Sequence, residues 1–188
     1  MLEAIKNTIF GGYHYPCNGN KFTLTEDSKS AKCKEAKFEV KDGDQYLVFK
    51  FDPPKKIKRN GEDIEQLFSV FEEGTYQSIC DYIIFYQKSS GGLFAIICNL
   101  KSDHSGNNKI QISAGEIFAN FIYQTAKRVF PGDFSNEKLK IVKTLFSSKA
   151  LYKNSESNKT GILNFVSNSE TKSTMNLYNR CINETIRR

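Results

Sequence analysis

The chain has 188 residues, within the ~100–200 residues of a single core, and its 39% apolar and 13% aromatic content is enough to build one. A charged fraction of 26% argues against wholesale disorder. No apolar run approaches the ~20 residues of a membrane-spanning helix, which excludes a transmembrane protein. The sequence therefore predicts one domain over residues 1–188, with no membrane partner. The opening MLEAIKNTIF has no basic segment followed by an apolar stretch and a cleavage site, so the expected location is the cytoplasm rather than the exterior.

Taken in chain order, residues 1–10 predict a short helix with Leu2, Ile5 and Ile9 near helical spacing, stopped by Gly11-Gly12. Residues 13–34 read as polar and irregular, with Asn18-Gly19 as a turn. Residues 36–51 predict a hairpin: AKFEVK and QYLVFKF are strand-like, and Asp42-Gly43-Asp44 lies between them. The run Lys55-Lys56-Ile57-Lys58-Arg59, after Pro53-Pro54, reads as a basic loop. Residues 62–72 predict a helix, because Ile64, Leu67, Phe68 and Phe71 fall on one stripe. ICDYIIFY (79–86) and LFAIICNL (93–100) are nearly continuous apolar runs, as expected of strands covered on both faces. Ser89-Ser90-Gly91-Gly92 joins them in a tight turn. Residues 113–130 predict a helix opened by the capping box Ser113-x-x-Glu116 and ended by Pro131-Gly132, with Ile117, Phe118, Phe121, Ile122 and Val129 as its buried stripe. Strands follow at 139–146 and 161–166, and a last helix at about 174–187. The sum is an α/β fold, a central mixed sheet flanked by helices.

Charge is uneven. Residues 1–100 carry 13 Lys/Arg and 14 Asp/Glu, whereas residues 101–188 carry 14 and 7. A basic second half suits a polyanion such as nucleic acid; a solubilising surface explains it equally well. Five cysteines, no Cys-x-x-Cys pair and two histidines argue against a disulfide scaffold and a structural zinc site. Cys80 and Cys98 read as small core residues.

The chemistry lies in CDYIIFYQKSSGGLFAIICNLKS. Asp81 stands at the start of one apolar strand, and Asn99 and Lys101 at the end of the next. An antiparallel hairpin makes these two ends neighbours, and a spacing of two puts Asn99 and Lys101 on one face. The Leu100 carbonyl lies between them. Read alone, Asp81 is also a strand-edge acid, and Lys101 a surface lysine.

An acidic residue at a strand start, a tight hairpin, an acidic-x-Lys at the end of the next strand and a helix packed across the sheet resemble the PD-(D/E)xK nuclease superfamily. The wording around Cys80-Asp81-Tyr82 and Ile97-Cys98-Asn99-Leu100-Lys101-Ser102 is similar to nuclease subunits of bacterial restriction and anti-phage systems. The resemblance covers about residues 36–146. It implies a restriction-endonuclease-like fold and a Mg²⁺- or Mn²⁺-dependent nuclease acting on DNA, the effector of a defence system. A chain of this size has little room for a specificity domain, which implies a partner protein or self-association. Asp81 and the Leu100 carbonyl would hold the metal, a hard cation that prefers oxygen, with Asn99 in the position of the second ligand. Lys101 would be the catalytic lysine, positioning water or stabilising the charged phosphate.

Asn99 departs from the family, which has Glu or Asp there. Three readings stand: a variant that recruits another acid, with Glu65 preferred to Glu62 or Asp103; a degenerate fold kept for binding nucleic acid or a protein; or an inactivated form of an acidic parent. Gln111 is a candidate contact to phosphate or base, or else a helix-entry polar residue. Lys109, Lys127, Arg128, Lys140 and Lys143 are candidate phosphate contacts, each alternatively a solvated lysine or arginine. His104 is a candidate base or an inert loop histidine.

Overall fold

The structure is a computed structural model and describes residues 1–27, 33–51, 58–59, 62–63, 79–101, 108–134, 137–147, 162–166, 174–177 and 179. The chain opens with helix α1 (Leu2–Thr8) and a 3-10 turn, Gly11–Tyr13. Strands β1 (Lys21–Thr25), β2 (Glu35–Glu39) and β3 (Gln45–Lys50) follow, then the short β4 (Lys58–Arg59) and β5 (Glu62–Asp63). Next are β6 (Tyr82–Gln87), β7 (Leu93–Lys101) and the long helix α2 (Asn108–Val129). The chain continues through β8 (Leu139–Ser147), β9 (Ile162–Val166) and β10 (Thr174–Asn176). Among the described residues, no helix is long and apolar enough to cross a membrane.

Five strands form a mixed sheet in the order β3-β6-β7-β8-β9. β3, β6 and β7 are antiparallel, whereas β7, β8 and β9 are parallel. Parallel neighbours need a crossover, and α2 supplies it between β7 and β8. A second sheet has the order β1-β2-β10. Two apolar clusters hold these layers. On one face of the five-stranded sheet, Phe49, Ile83, Phe85, Ala95, Ile97 and Leu145 pack with residues of α1 and α2. On the other face, Val48, Ile84, Tyr86, Ile96 and Phe146 pack with Phe22, Leu24, Phe38 and Met175 of the second sheet. Every residue from Tyr82 to Tyr86 and from Leu93 to Leu100 is buried, which explains why both runs lack the alternation of a one-sided strand.

The mixed α/β expectation holds, but the described helices flank the central sheet on one face only, the second sheet covering the other, and several elements differ from the reading. β1 lies inside the stretch read as irregular; Phe22 and Leu24 alternate with Lys21 and Thr23, a two-residue period too brief to stand out. Residues 36–51 are not a hairpin. β2 pairs with β1 and β10, and β3 pairs with β6, so the Asp42-Gly43-Asp44 turn carries the chain from one sheet to the other. Lys58–Arg59 pairs with Glu62–Asp63 instead of forming a loop, so 62–63 are strand; the rest of the predicted 62–72 helix lies outside the described residues. Residues 174–176 form a strand parallel to β2 rather than the start of a helix.

Asp44 anchors that crossover turn. Its Oδ1 accepts from the Ser89 N–H at 2.7 Å and the Ser89 hydroxyl at 2.9 Å, and its Oδ2 accepts from the Tyr86 hydroxyl. Burial opposes the charged form. The Ser89 N–H, the two hydroxyls and Lys41 outweigh it, and the carboxyl sits below its ordinary value of 3.8. A lowered carboxylate pKa adds stability above the unfolded value and loses it as pH falls through the folded value. Asp44→Ala is therefore expected to cost about 1–2 kcal/mol at neutral pH. In denaturant titrations the gap to wild type should close below pH 3.8; a gap that persists unchanged in acid would refute the charged anchor.

Candidate functional site

The β6–β7 hairpin sets the site. Tyr82 pairs with Cys98, so the residue before β6, Asp81, meets the far end of β7. The glycines that close the hairpin make this register possible: Gly91 and Gly92 have φ of 92° and 102°, a left-handed region open to glycine at little cost. At the corner the Leu100 N–H donates to Asp81 Oδ2 at 2.6 Å. The Asp81 N–H donates to Asn99 Oδ1 at 3.1 Å. In an extended strand, the N–H and C=O of one residue lie on the same flank. The Leu100 carbonyl therefore shares the flank on which its N–H meets Asp81.

Helix α2 closes the corner from above. Asn99 Nδ2 donates to Gln111 Oε1 at 3.1 Å. Gln111 reaches that far because the helix lies very close to the sheet at Gly115, one turn further on. A Cβ at Gly115 would stand 2.4 Å from Cys80 Sγ and 2.6 Å from Ile97 Cγ2. Asp81 retains 7% exposure and Asn99 none. Asn108, also on this end of α2, is 7% exposed, and its Oδ1 is buried with no hydrogen-bond partner among the described residues. The sequence reading did not single out Asn108 or Gly115. A polar residue at 108 resembled loop, and a mid-helix glycine shows its purpose only once the sheet beneath it is placed.

The start of α2 corrects the capping-box expectation. The helix begins at Asn108, so Ser113 is an exposed residue inside it. Glu116 pairs with Lys143 at 2.6 Å instead of reaching back to a cap. Lys143, a candidate phosphate contact, is paired here with a partly exposed carboxylate. The buried stripe also rotates: Ile112, Gly115, Ala119, Ile122, Tyr123 and Ala126 face inward, whereas Ile117 is 72% and Phe121 64% exposed. Small residues sit inward because the helix rides close to the sheet.

The structure brings together Asp81, Asn99, Leu100 and Gln111. Lys101 ends β7 opposite Ser147 of β8, two positions beyond Asn99; its side chain lies outside the described residues. Glu65, Asp103 and His104 also lie outside them, as do the side chains of Glu62 and Asp63. Lys109 is exposed in the first turn of α2, two residues before Gln111 and therefore on a different face of the helix. Lys127 and Arg128 belong to the last turn. Sixteen residues beyond Gln111 at ~1.5 Å each is ~24 Å, so they do not share this corner. Lys127 Nζ instead lies 5.9 Å from the centre of the Tyr123 ring. Lys140 Nζ lies 5.4 Å from the Phe94 ring centre.

Cys33, Cys80 and Cys98 are buried core groups, and Cys17 is partly buried. Burial pushes the Cys17 thiol up to about 11. Burial, and then the Asp81 charge, push the fully buried Cys98 thiol up as well. Protonated thiols of this kind are poor nucleophiles. Among the described residues, no three His, Cys, Asp or Glu side chains cluster to hold a metal. Compared with known proteins, the chain matches no family model, no curated protein and no solved structure.

Proposed function

We propose that the chain is a nuclease of the PD-(D/E)xK type that acts on DNA phosphodiester bonds with Mg²⁺ or Mn²⁺. The observation that carries this reading is the Asp81 carboxylate held at 2.6 Å by the Leu100 N–H, at the corner where an antiparallel hairpin ends and a helix crosses the sheet. Asp81 and the Leu100 carbonyl are the hard oxygen donors that such a cation prefers. When bound, the cation would acidify a water and neutralise charge on the phosphate. The chain's own part is to fix Asp81 through Leu100, to place Lys101 two positions past Asn99, and to limit water at the corner through the surrounding apolar groups. The setting implied by the resemblance is a bacterial anti-phage system, with a partner protein or a second copy supplying specificity.

One observation favours a second reading. Asn99 does not fit the role of second ligand: its amide is neutral, buried, and bonded at both ends within the protein. Among the described residues the corner holds one carboxylate, which suits a degenerate nuclease fold that binds nucleic acid or a partner without cutting.

Plasmid cleavage separates the two. Supercoiled plasmid is incubated with Mg²⁺ or Mn²⁺ and wild type, Asp81→Ala, Lys101→Ala or Asn99→Asp, each checked for folding by its melting curve. For an active nuclease, wild type cuts and the alanine variants lose roughly 100-fold or more. Cutting by Asn99→Asp alone would establish the degenerate reading. Failure of all four to cut or bind any nucleic acid would end the nuclease reading and the nucleic-acid-binding form of the second.

A further inference from the structure

The polar groups at the corner form a chain whose polarity is set at one end. The Asp81 N–H can only donate, so the Asn99 atom that meets it must be the amide oxygen. Asn99 then turns its NH₂ toward α2, where it donates to Gln111 Oε1. That contact fixes the second amide in turn, with oxygen toward Asn99 and NH₂ away from it. Among the described residues, this is the one hydrogen bond of the Gln111 side chain, and Gln111 is only partly buried, whereas Asn99 is sealed. The outward end of the relay is thus a pair of N–H donors at the rim of the Asp81 corner.

An acid at position 99 would reverse this polarity. A carboxylate there still accepts the Asp81 N–H, but toward α2 it offers only an acceptor. Gln111 would then turn its NH₂ inward and leave its oxygen at the rim, where a phosphate would be repelled. The asparagine therefore decides which end of Gln111 faces outward.

We propose that Asn99 is a positioning residue, and that Gln111, oriented by it, donates to a non-bridging phosphate oxygen of a nucleic-acid strand lying at the Asp81 corner. This inference rests on the nuclease-type reading of that corner and names the contact its substrate makes there. It gives Asn99 a task that a metal-ligating acid could not perform.

The test is binding without catalysis. A short fluorescein-labelled DNA duplex, and RNA of the same sequence, are titrated with protein in EDTA by fluorescence anisotropy at several salt concentrations. Gln111→Leu is expected to weaken binding of the preferred strand roughly tenfold, the effect of one hydrogen bond to a charged acceptor. Its log–log salt slope should match wild type, because a neutral donor releases no counterion; a misfolded basic surface would change that slope. Asn99→Asp should weaken binding at least as much. Gln111→Lys keeps a donor and should restore affinity while steepening the slope by about one charge. Wild-type affinity in Gln111→Leu would overturn the inference, yet leave the nuclease reading intact if Asp81→Ala still abolishes cutting. No binding and no cutting by wild type would overturn both.

Discussion

Gly115→Ala is expected to destabilise the protein by about 3 kcal/mol, at the upper end of the range for overpacked cores, or roughly 6–12 °C in Tm for a chain of this size. On an exposed helix the same change would add ~1 kcal/mol. The sign reverses because the new methyl would lie 2.4 Å from Cys80 Sγ and 3.0 Å from Cys80 Cβ. Cys80 immediately precedes Asp81, and Ile97, the other clashing residue, is two positions before Asn99. Relief of the clash requires α2 to lift or β6 and β7 to shift, and either motion stretches the bond from Asn99 to Gln111. Thermal melting gives the first readout. A second is the coupling: in Gly115→Ala, the further change Gln111→Leu should alter nucleic-acid affinity far less than it does in wild type. An unchanged or raised Tm would show that the close approach of helix and sheet is not as described.

Position 99 gives the second large effect, and its two variants separate shape from charge. Asn99→Leu keeps the same branched skeleton, with bulkier methyl groups in place of the amide, and removes both bonds. The buried Asp81 N–H is left without an acceptor, at a cost of about 1–3 kcal/mol; half-buried Gln111 can turn to water and adds less. Asn99→Asp keeps an acceptor for the Asp81 N–H, but sets a second carboxylate beside the first at a buried corner, where Asp81 is 7% exposed and position 99 not at all. An uncompensated charge at a buried site of this kind costs about 3–5 kcal/mol. A cation held by both carboxylates would offset that cost. Asn99→Asp should therefore melt below wild type in EDTA and recover with Mg²⁺, whereas Asn99→Leu should be indifferent to the metal. A metal-independent Tm in Asn99→Asp would show that the two side chains do not share a cation site, and would count against a metal held at this corner.

What the residues alone determined is the hairpin and its consequence. The two apolar runs, the Gly91-Gly92 turn and the strand after α2 are local patterns, and local patterns follow from side-chain period and backbone preference. A hairpin's register follows from its turn, so the meeting of Asp81 with Asn99 and Leu100 was legible before any coordinates. The partners of β2 and β3 were not. Both strands and the intervening turn looked like one hairpin, yet pairing is decided by which apolar face each strand can cover, and Phe38 and Phe49 face different cores. Only the tertiary structure settled the face that α2 buries. Its sequence offers a bulky stripe through Ile117 and Phe121 and a lean one through Gly115 and Ala119; the sheet takes the lean one because close approach buries more of both surfaces than large side chains would allow. That choice of face carries Gln111 to Asn99, and no pattern within the helix itself contains it.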